Sequence, residues 1–171
     1  FTWFGKSNGL CTFTPGNLDS SATVVAMADL MAGSSRLFVF TTTWAVKPPS
    51  LGFTVVTARI DMQPDLVGHF AYNRLHGGVI SAVLDAIGSA AVMACLAAKH
   101  MKEPPVERLE RFAKLGTIDL RVDYLRPGIG EHFTIHAHAL RVGTRVGTSR
   151  MEFRGPDGTL MSAGAAAYIV S

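Results

Sequence analysis

The sequence predicts an α+β fold in which an antiparallel sheet wraps one long buried helix. Three observations carry that expectation. Residues 79–98 are almost wholly apolar or small, and Asp85 is the only charge among them. Two β-branched and aromatic stretches, "RLFVFTTTWAV" and "FTVVTARIDM", precede this segment, separated by the turn-forming "KPPSLG". Four more extended segments follow it. Strands grouped around a single helix imply a sheet curled on that helix rather than alternating βαβ units.

The bulk properties set the limits. A chain of 171 residues is one domain with room for a substantial core. Apolar residues make up 48% and charged residues 17%, the balance of a globular chain rather than a disordered one. Sixteen basic and thirteen acidic residues leave +3, scattered along the chain, which is too weak a field for a nucleic-acid binder. Cys11 and Cys95 make no disulfide framework; Cys95 reads as a buried thiol in the apolar helix, and a cytoplasmic setting follows. The 79–98 run has the length of a membrane span. Asp85 in its first half, and Arg74 and Lys99 on its two flanks, favour a core helix instead.

Residues 1–35 form an extension with no clear period, and 36–171 form the folded domain. Within the extension, "SSATVVAMADLMAG" predicts a short helix capped by Ser20 or Ser21 and stopped near Gly33. No basic segment directly precedes an apolar run there, so it does not read as a signal peptide. "QPDLVGHFAYNRLHGG" reads as a loop into the long helix, and "VERLERFAK" as a short charged helix after Pro104 and Pro105. In "GTIDLRVDYLRPG", Ile118, Leu120, Val122 and Tyr124 alternate with Thr117, Asp119, Arg121 and Asp123, a half-buried strand. "EHFTIHAHALRV", "VGTSRMEFRG" and "GTLMSAGAAAYIVS" complete the set, joined by turns at Gly143 and "GPDG". His132, His136 and His138 share one parity of their strand. They lack a turn or carboxylate to complete a metal set and read as a polar sheet face.

The chemistry concentrates around "NRLHGGVISAVLD". Gly77 and Gly78 leave amides uncovered at a helix N-terminus, where the first turn has no partners of its own and the helix dipole adds positive potential. Such amides can hold an anion or a developing oxyanion, although a tight turn also asks for glycine. A carboxylate inside an apolar helix costs several kcal/mol unless it is paired or functional. Gly77 and Asp85 lie eight residues apart. At 1.5 Å per residue that is about 12 Å along a helix. One small reacting group cannot touch both. If both act together, two chains share the site, as in a two-fold dimer.

"LHGGVISAVLD" followed by "GTIDLRVDYLRPG" resembles the hotdog-fold acyl-CoA thioesterases of the PaaI type, and most of all the YigI-like medium- and long-chain group. The resemblance spans roughly residues 36–171. It implies a hotdog fold, acyl-CoA hydrolysis and assembly as a homodimer or homotetramer. It needs no cofactor, because coenzyme A is part of the substrate. In the His-Gly-Gly motif opened by His76, it gives the Gly77 N–H to the thioester carbonyl. Asp85 becomes the base or nucleophile, and Thr117 holds the attacking water from the subunit opposite the glycine. His69 stands where the YigI-like proteins tend to carry an Asn near that carbonyl. Arg126 and Arg145, at strand ends beside turns, fall where such proteins contact CoA phosphates, and Arg141 is a further candidate.

Two rivals share the fold. "GHF" before the helix resembles acyl-carrier dehydratases, with His69 as their histidine, but the acid those enzymes need one turn into the helix is Val83 here. A non-catalytic acyl-CoA-binding protein is the other, with only Asp85 and Thr117 against it.

Overall fold

The computed structural model describes residues 22–28, 38–47 and 55–171 apart from Met101. Its centre is α1 (Gly77–Lys99), followed by the short α2 (Pro105–Ala113). Around α1 lie the long strands β1 (Ala22–Ala28), β2 (Phe38–Lys47), β3 (Val55–Asp61), β6 (Gly116–Tyr124), β7 (His132–Val142), β8 (Val146–Arg154) and β9 (Leu160–Ile169). They form one antiparallel sheet in the order β1-β2-β3-β7-β8-β9-β6. The expected α+β hotdog arrangement is therefore present: a sheet packed on one long helix.

Alternation along the strands decides which face meets the helix. On β7, Phe133, Ile135, Ala137 and Ala139 are buried while His132, His136 and His138 are only half-buried on the other face. The histidine parity read from the sequence holds, and His136 Nδ1 sits 3.3 Å from the Thr57 hydroxyl on β3. Val56, Ala58 and Ile60 of β3 and Met151 and Phe153 of β8 complete the inward face, with the Phe133 and Phe153 rings stacked. Each fully buried large apolar side chain contributes about 1.5–3 kcal/mol.

Four expectations change. Residues 22–28 form a strand paired to β2, from Ala22 opposite Trp44 to Ala28 opposite Phe38, not a helix. The run Thr23-Val24-Val25 is β-branched, and pairing along a whole strand outweighs the weak helical pattern. The segment before α1 is not a plain loop: 3₁₀ turns at Pro64–Leu66 and Phe70–Tyr72 flank a two-stranded ribbon of β4 (Val67–His69) and β5 (Arg74–Leu75). Cys95 is half-buried rather than enclosed, while Cys11 and the 47–52 turn fall mostly or wholly outside the described residues.

The fourth change concerns α1. The helix has the length and hydropathy of a membrane span, yet half of its most apolar stretch is buried in the fold. Ile80, Val83, Leu84, Ile87 and Ala91 recur at helical spacing and are buried against the sheet. Ser81, Ala82, Asp85, Ala86 and Ser89 are only half-buried. Among the described residues the helix is thus fully buried on the side that meets the sheet and half-buried on the other.

At its far end, Lys99 Nζ donates to the Val142 carbonyl. Glu103 accepts from Arg111 at 2.8 and 2.9 Å and lies 2.7 Å from His100 Nδ1, which ties α2 to the end of α1. Arg111 is the main reason the Glu103 carboxyl lies below its usual range.

The helix packs tightly on the sheet at Gly88. A Cβ there would lie 2.5 Å from the Tyr168 hydroxyl and 2.8 Å from both Met151 Sδ and Ser149 Oγ. Alanine is worth about 1 kcal/mol over glycine inside a helix. Overpacking a closed core typically costs about 1–3 kcal/mol, and three neighbours must move together here. Gly88→Ala should therefore lower the urea unfolding midpoint despite its better helix propensity. An unchanged or higher midpoint would show that the contact is slack.

Candidate active site

The N-terminus of α1 is built by its own residues. His76 is the N-cap, and its Nδ1 accepts from the Gly78 N–H at 2.9 Å. An accepting Nδ1 leaves the proton of the neutral ring on Nε2. The His76 carbonyl takes the Val79 and Ile80 amides, and its own amide donates to Leu66. Gly78 is spoken for: a Cβ would stand 3.0 Å from His76 Nδ1 and crowd the cap.

Gly77 is different. Its φ is not left-handed, and a Cβ would meet only the Tyr124 ring, at 3.5 Å, an ordinary contact. Neither backbone conformation nor space inside the chain requires glycine at 77. Its amide lies in the first turn, beyond the reach of the helix's own carbonyls. An uncovered amide that needs no glycine for folding is suited to the close approach of a ligand oxygen.

This amide opens on a cleft of about 420 Å³ lined by Arg74, Gly77, Ile80, Tyr124, Leu125 and Arg126, among others. Arg126 is exposed and donates from Nη1 to the Leu160 carbonyl at 2.8 Å. Arg74 and Tyr124 are additions that sequence reasoning missed as site residues. Arg74 reads as a flank of the apolar run, and Tyr124 as one more position in a strand. Only folding brings β5 and the end of β6 to the same helix turn.

Asp85 sits two turns further along α1. It is half-buried, not enclosed, and Thr117 Oγ1 donates to its carboxylate at 3.0 Å from Oδ1 and 3.2 Å from Oδ2. Its main-chain carbonyl accepts from the Tyr168 hydroxyl at 3.2 Å. Burial above all pushes the Tyr168 phenol far above its ordinary pKa, so it remains a donor. Thr117 and Tyr168 are direct partners on β6 and β9, so one rung of the sheet holds both the side chain and the backbone of Asp85.

Strict alternation would put Thr117 on the outer face with Asp119 and place Ile118 inside. A β-bulge at 117–119 reverses this. Thr117 pairs with Tyr168 and Asp119 with Ala167, leaving Ile118 as the extra residue, 57% exposed. Thr117 thereby joins Leu120 and Val122 on the helix side.

His69 lies just before the Phe70–Tyr72 turn, its ring 5.0 Å from that of Tyr72 and stacked at 6.1 Å on Phe70. Its Nδ1 is buried without a hydrogen-bond partner among the described residues. Its neighbour Gly68 packs so close to the cap that a Cβ would lie 2.6 Å from His76 Cα. The arginines divide. Arg126 follows the end of β6 at Tyr124, which pairs with Ser162; Arg141 and Arg145 flank the β7–β8 turn at the opposite end, where Val146 pairs with Ile169. Within one chain Arg126 shares the Gly77 cleft and the other two do not.

Comparison with known proteins fits this geometry. The family model of the thioesterase superfamily matches residues 72–162. The chain is 39% identical over 108 residues to the medium/long-chain acyl-CoA thioesterase YigI of Escherichia coli, covering 63% of this chain and 70% of that protein. A crystal structure from Shewanella oneidensis, described as related to the thioesterase superfamily, is 41% identical, with a TM-score of 0.66 over 68% of this chain and 76% of that one. A structure assigned as a thioesterase from Syntrophus aciditrophicus is 28% identical, with a TM-score of 0.60 over 76% and 84% of the two chains. The matched region holds the His-Gly-Gly cap, Asp85 and Thr117 together, and the chain belongs to the thioesterase superfamily.

Proposed function

We propose that this protein hydrolyses medium- to long-chain acyl-CoA to free fatty acid and CoA, with Asp85 as the reacting carboxylate. The observation that carries the residue assignment is the Thr117–Asp85 pair, which a β-bulge brings together. The chain-length range rests on the named activity of the E. coli relative.

The thioester oxygen takes the Gly77 N–H, where the helix terminus favours growing negative charge. Asp85 removes a proton from water as the water oxygen adds to the carbonyl carbon, and Thr117 orients that water. The tetrahedral intermediate then collapses, the C–S bond breaks, and CoA leaves as the thiolate and takes up a proton. Direct attack by Asp85, giving an anhydride that water opens, uses the same groups. Neither route needs a cofactor, since CoA arrives with the substrate. His76 Nε2 and His69 are the further polar groups beside the cap, and Arg126, Arg141 and Arg145 are the cations for CoA phosphates.

If Gly77 and Asp85 act on one thioester, the distance along α1 supports a site shared by two chains. Gly77 and Asp85 are separated by two helical turns, about 12 Å, so the amide of one subunit works with the Asp85 and Thr117 of another. The half-buried face of α1 around Asp85 and the edge of β6, unpaired among the described residues and with Ile118 exposed, support a homodimer, alone or doubled into a tetramer. A cysteine content too low for a disulfide framework supports a cytoplasmic setting.

Asp85→Asn should fold and assemble yet lose about a hundredfold or more in kcat, the usual scale for removing a general base, with KM nearly constant. Thr117→Ala should lose less. Near wild-type hydrolysis by folded Asp85→Asn would make the carboxylate structural, and absence of hydrolysis by the wild type would make the protein an acyl-CoA binder.

Light scattering should find a dimer or tetramer at assay concentration, and an active monomer would rule out the shared site. Arg126→Ala and Arg145→Ala should raise KM for acyl-CoA more than they lower kcat, with the defect shrinking at high salt. Short thioesters without the nucleotide should not register either change; equal losses on both substrates would refute phosphate binding.

A further inference from the structure

The Gly77 carbonyl receives more than its helix bond. The Tyr124 hydroxyl lies 2.9 Å from it and the Ser81 hydroxyl 3.0 Å, and the two hydroxyls are 2.5 Å apart. Two O–H protons are shared among three oxygens, so one hydroxyl donates to the carbonyl while the other donates to it or to its neighbour. Tyr124 comes from the end of β6, 47 residues along the chain from Gly77.

We propose that Tyr124, together with Ser81, is a positioning residue that holds the Gly77 amide in line for the thioester oxygen. This rests on the role given to Gly77 above and extends it. A glycine is the least restrained residue in a chain, and the entropy of fixing it is the largest. A donor that must meet a developing oxyanion gains from being fixed beforehand, so that no reorganisation accompanies the reaction. The peptide before Gly77 is held through the His76 carbonyl, which takes the Val79 and Ile80 amides. The peptide after it is held at its nitrogen by His76 Nδ1 and at its oxygen by Tyr124 and Ser81. Both planes flanking Gly77 are pinned, and with them the direction of its N–H. The hydroxyl pair supplies from outside the helix the restraint that a side chain at 77 would otherwise provide, and it leaves open the space that a side chain would occupy.

The shared protons predict a particular pattern. When Tyr124 loses its hydroxyl, Ser81 turns its own proton to the carbonyl, and the reverse also holds. Tyr124→Phe and Ser81→Ala should each lower kcat only a few-fold, while the double variant should lose about tenfold or more, beyond the product of the two, on the scale that small misplacements cost. KM should stay near wild type, because the Phe ring keeps the cleft wall. Calorimetry should find all three variants folded, since Tyr124 is half-exposed and only hydroxyls are removed.

Gly77→Pro, which removes the N–H at a first-turn position where proline is tolerated, separates this inference from the reading beneath it. Wild-type kcat in folded Gly77→Pro overturns the amide's role and the inference with it. A collapsed kcat in folded Gly77→Pro with wild-type kcat in the double variant overturns the positioning role alone. A double variant whose whole defect lies in KM makes Tyr124 a substrate contact, which also overturns it.

Discussion

Helix α1 approaches the sheet at Gly88 closely enough that a methyl group would lie 2.5 Å from the Tyr168 hydroxyl. The rest of the arrangement depends on that approach. It brings the Tyr168 hydroxyl up to the Asp85 carbonyl, three residues earlier in the helix. Once Tyr168 fixes the rotation of α1 there, Ile80, Val83, Leu84 and Ile87 face the middle of the sheet, and Asp85 turns toward Thr117 on β6 at its end. A half-exposed carboxylate with a hydroxyl partner escapes most of the cost that an enclosed one would carry. The puzzle of a charge in an apolar helix dissolves once the helix is seen to have a second side that is only half-buried among the described residues.

The two ends of β6 serve the two chemically distinct parts of α1. At the start of the strand, Thr117 holds the Asp85 carboxylate. At its end, Tyr124 holds the Gly77 carbonyl. The strand runs antiparallel to the helix beside it, so one strand reaches both the Asp85 carboxylate and the Gly77 carbonyl. Among the described residues its outer edge has no neighbouring strand. In the proposed dimer a second copy would bring its own β6 and α1 to this edge, and exposed Ile118 would lie at the junction.

The His76 ring marks how little of the His-Gly-Gly turn is left to chance. One of its nitrogens caps the helix through Gly78, and β4 packs against its Cα at Gly68. Of the two glycines, a Cβ would crowd the cap only at Gly78, 3.0 Å from His76 Nδ1; at Gly77 it would meet the Tyr124 ring at an ordinary 3.5 Å.

The amino-acid sequence by itself determined the class of fold, the long helix, the strand pair before it and the four strands after it, because those rest on local period and on turn chemistry. It also singled out Gly77 and Asp85 and, through the fixed rise of a helix, the distance between them. It misread residues 22–28, where a β-branched run had to compete with a weak helical pattern and strand pairing prevailed. The face of Thr117 was beyond it: alternation is a rule of regular strands, and the bulge at Ile118 breaks it at the one residue where the break matters. So was the junction of Tyr124 with Ser81 and Gly77, and the separation of Arg126 from Arg141 and Arg145 to opposite ends of the sheet. These are contacts between positions far apart in the chain. Local periodicity has no term for them, and only the packing of β6 along α1 decides which residues meet.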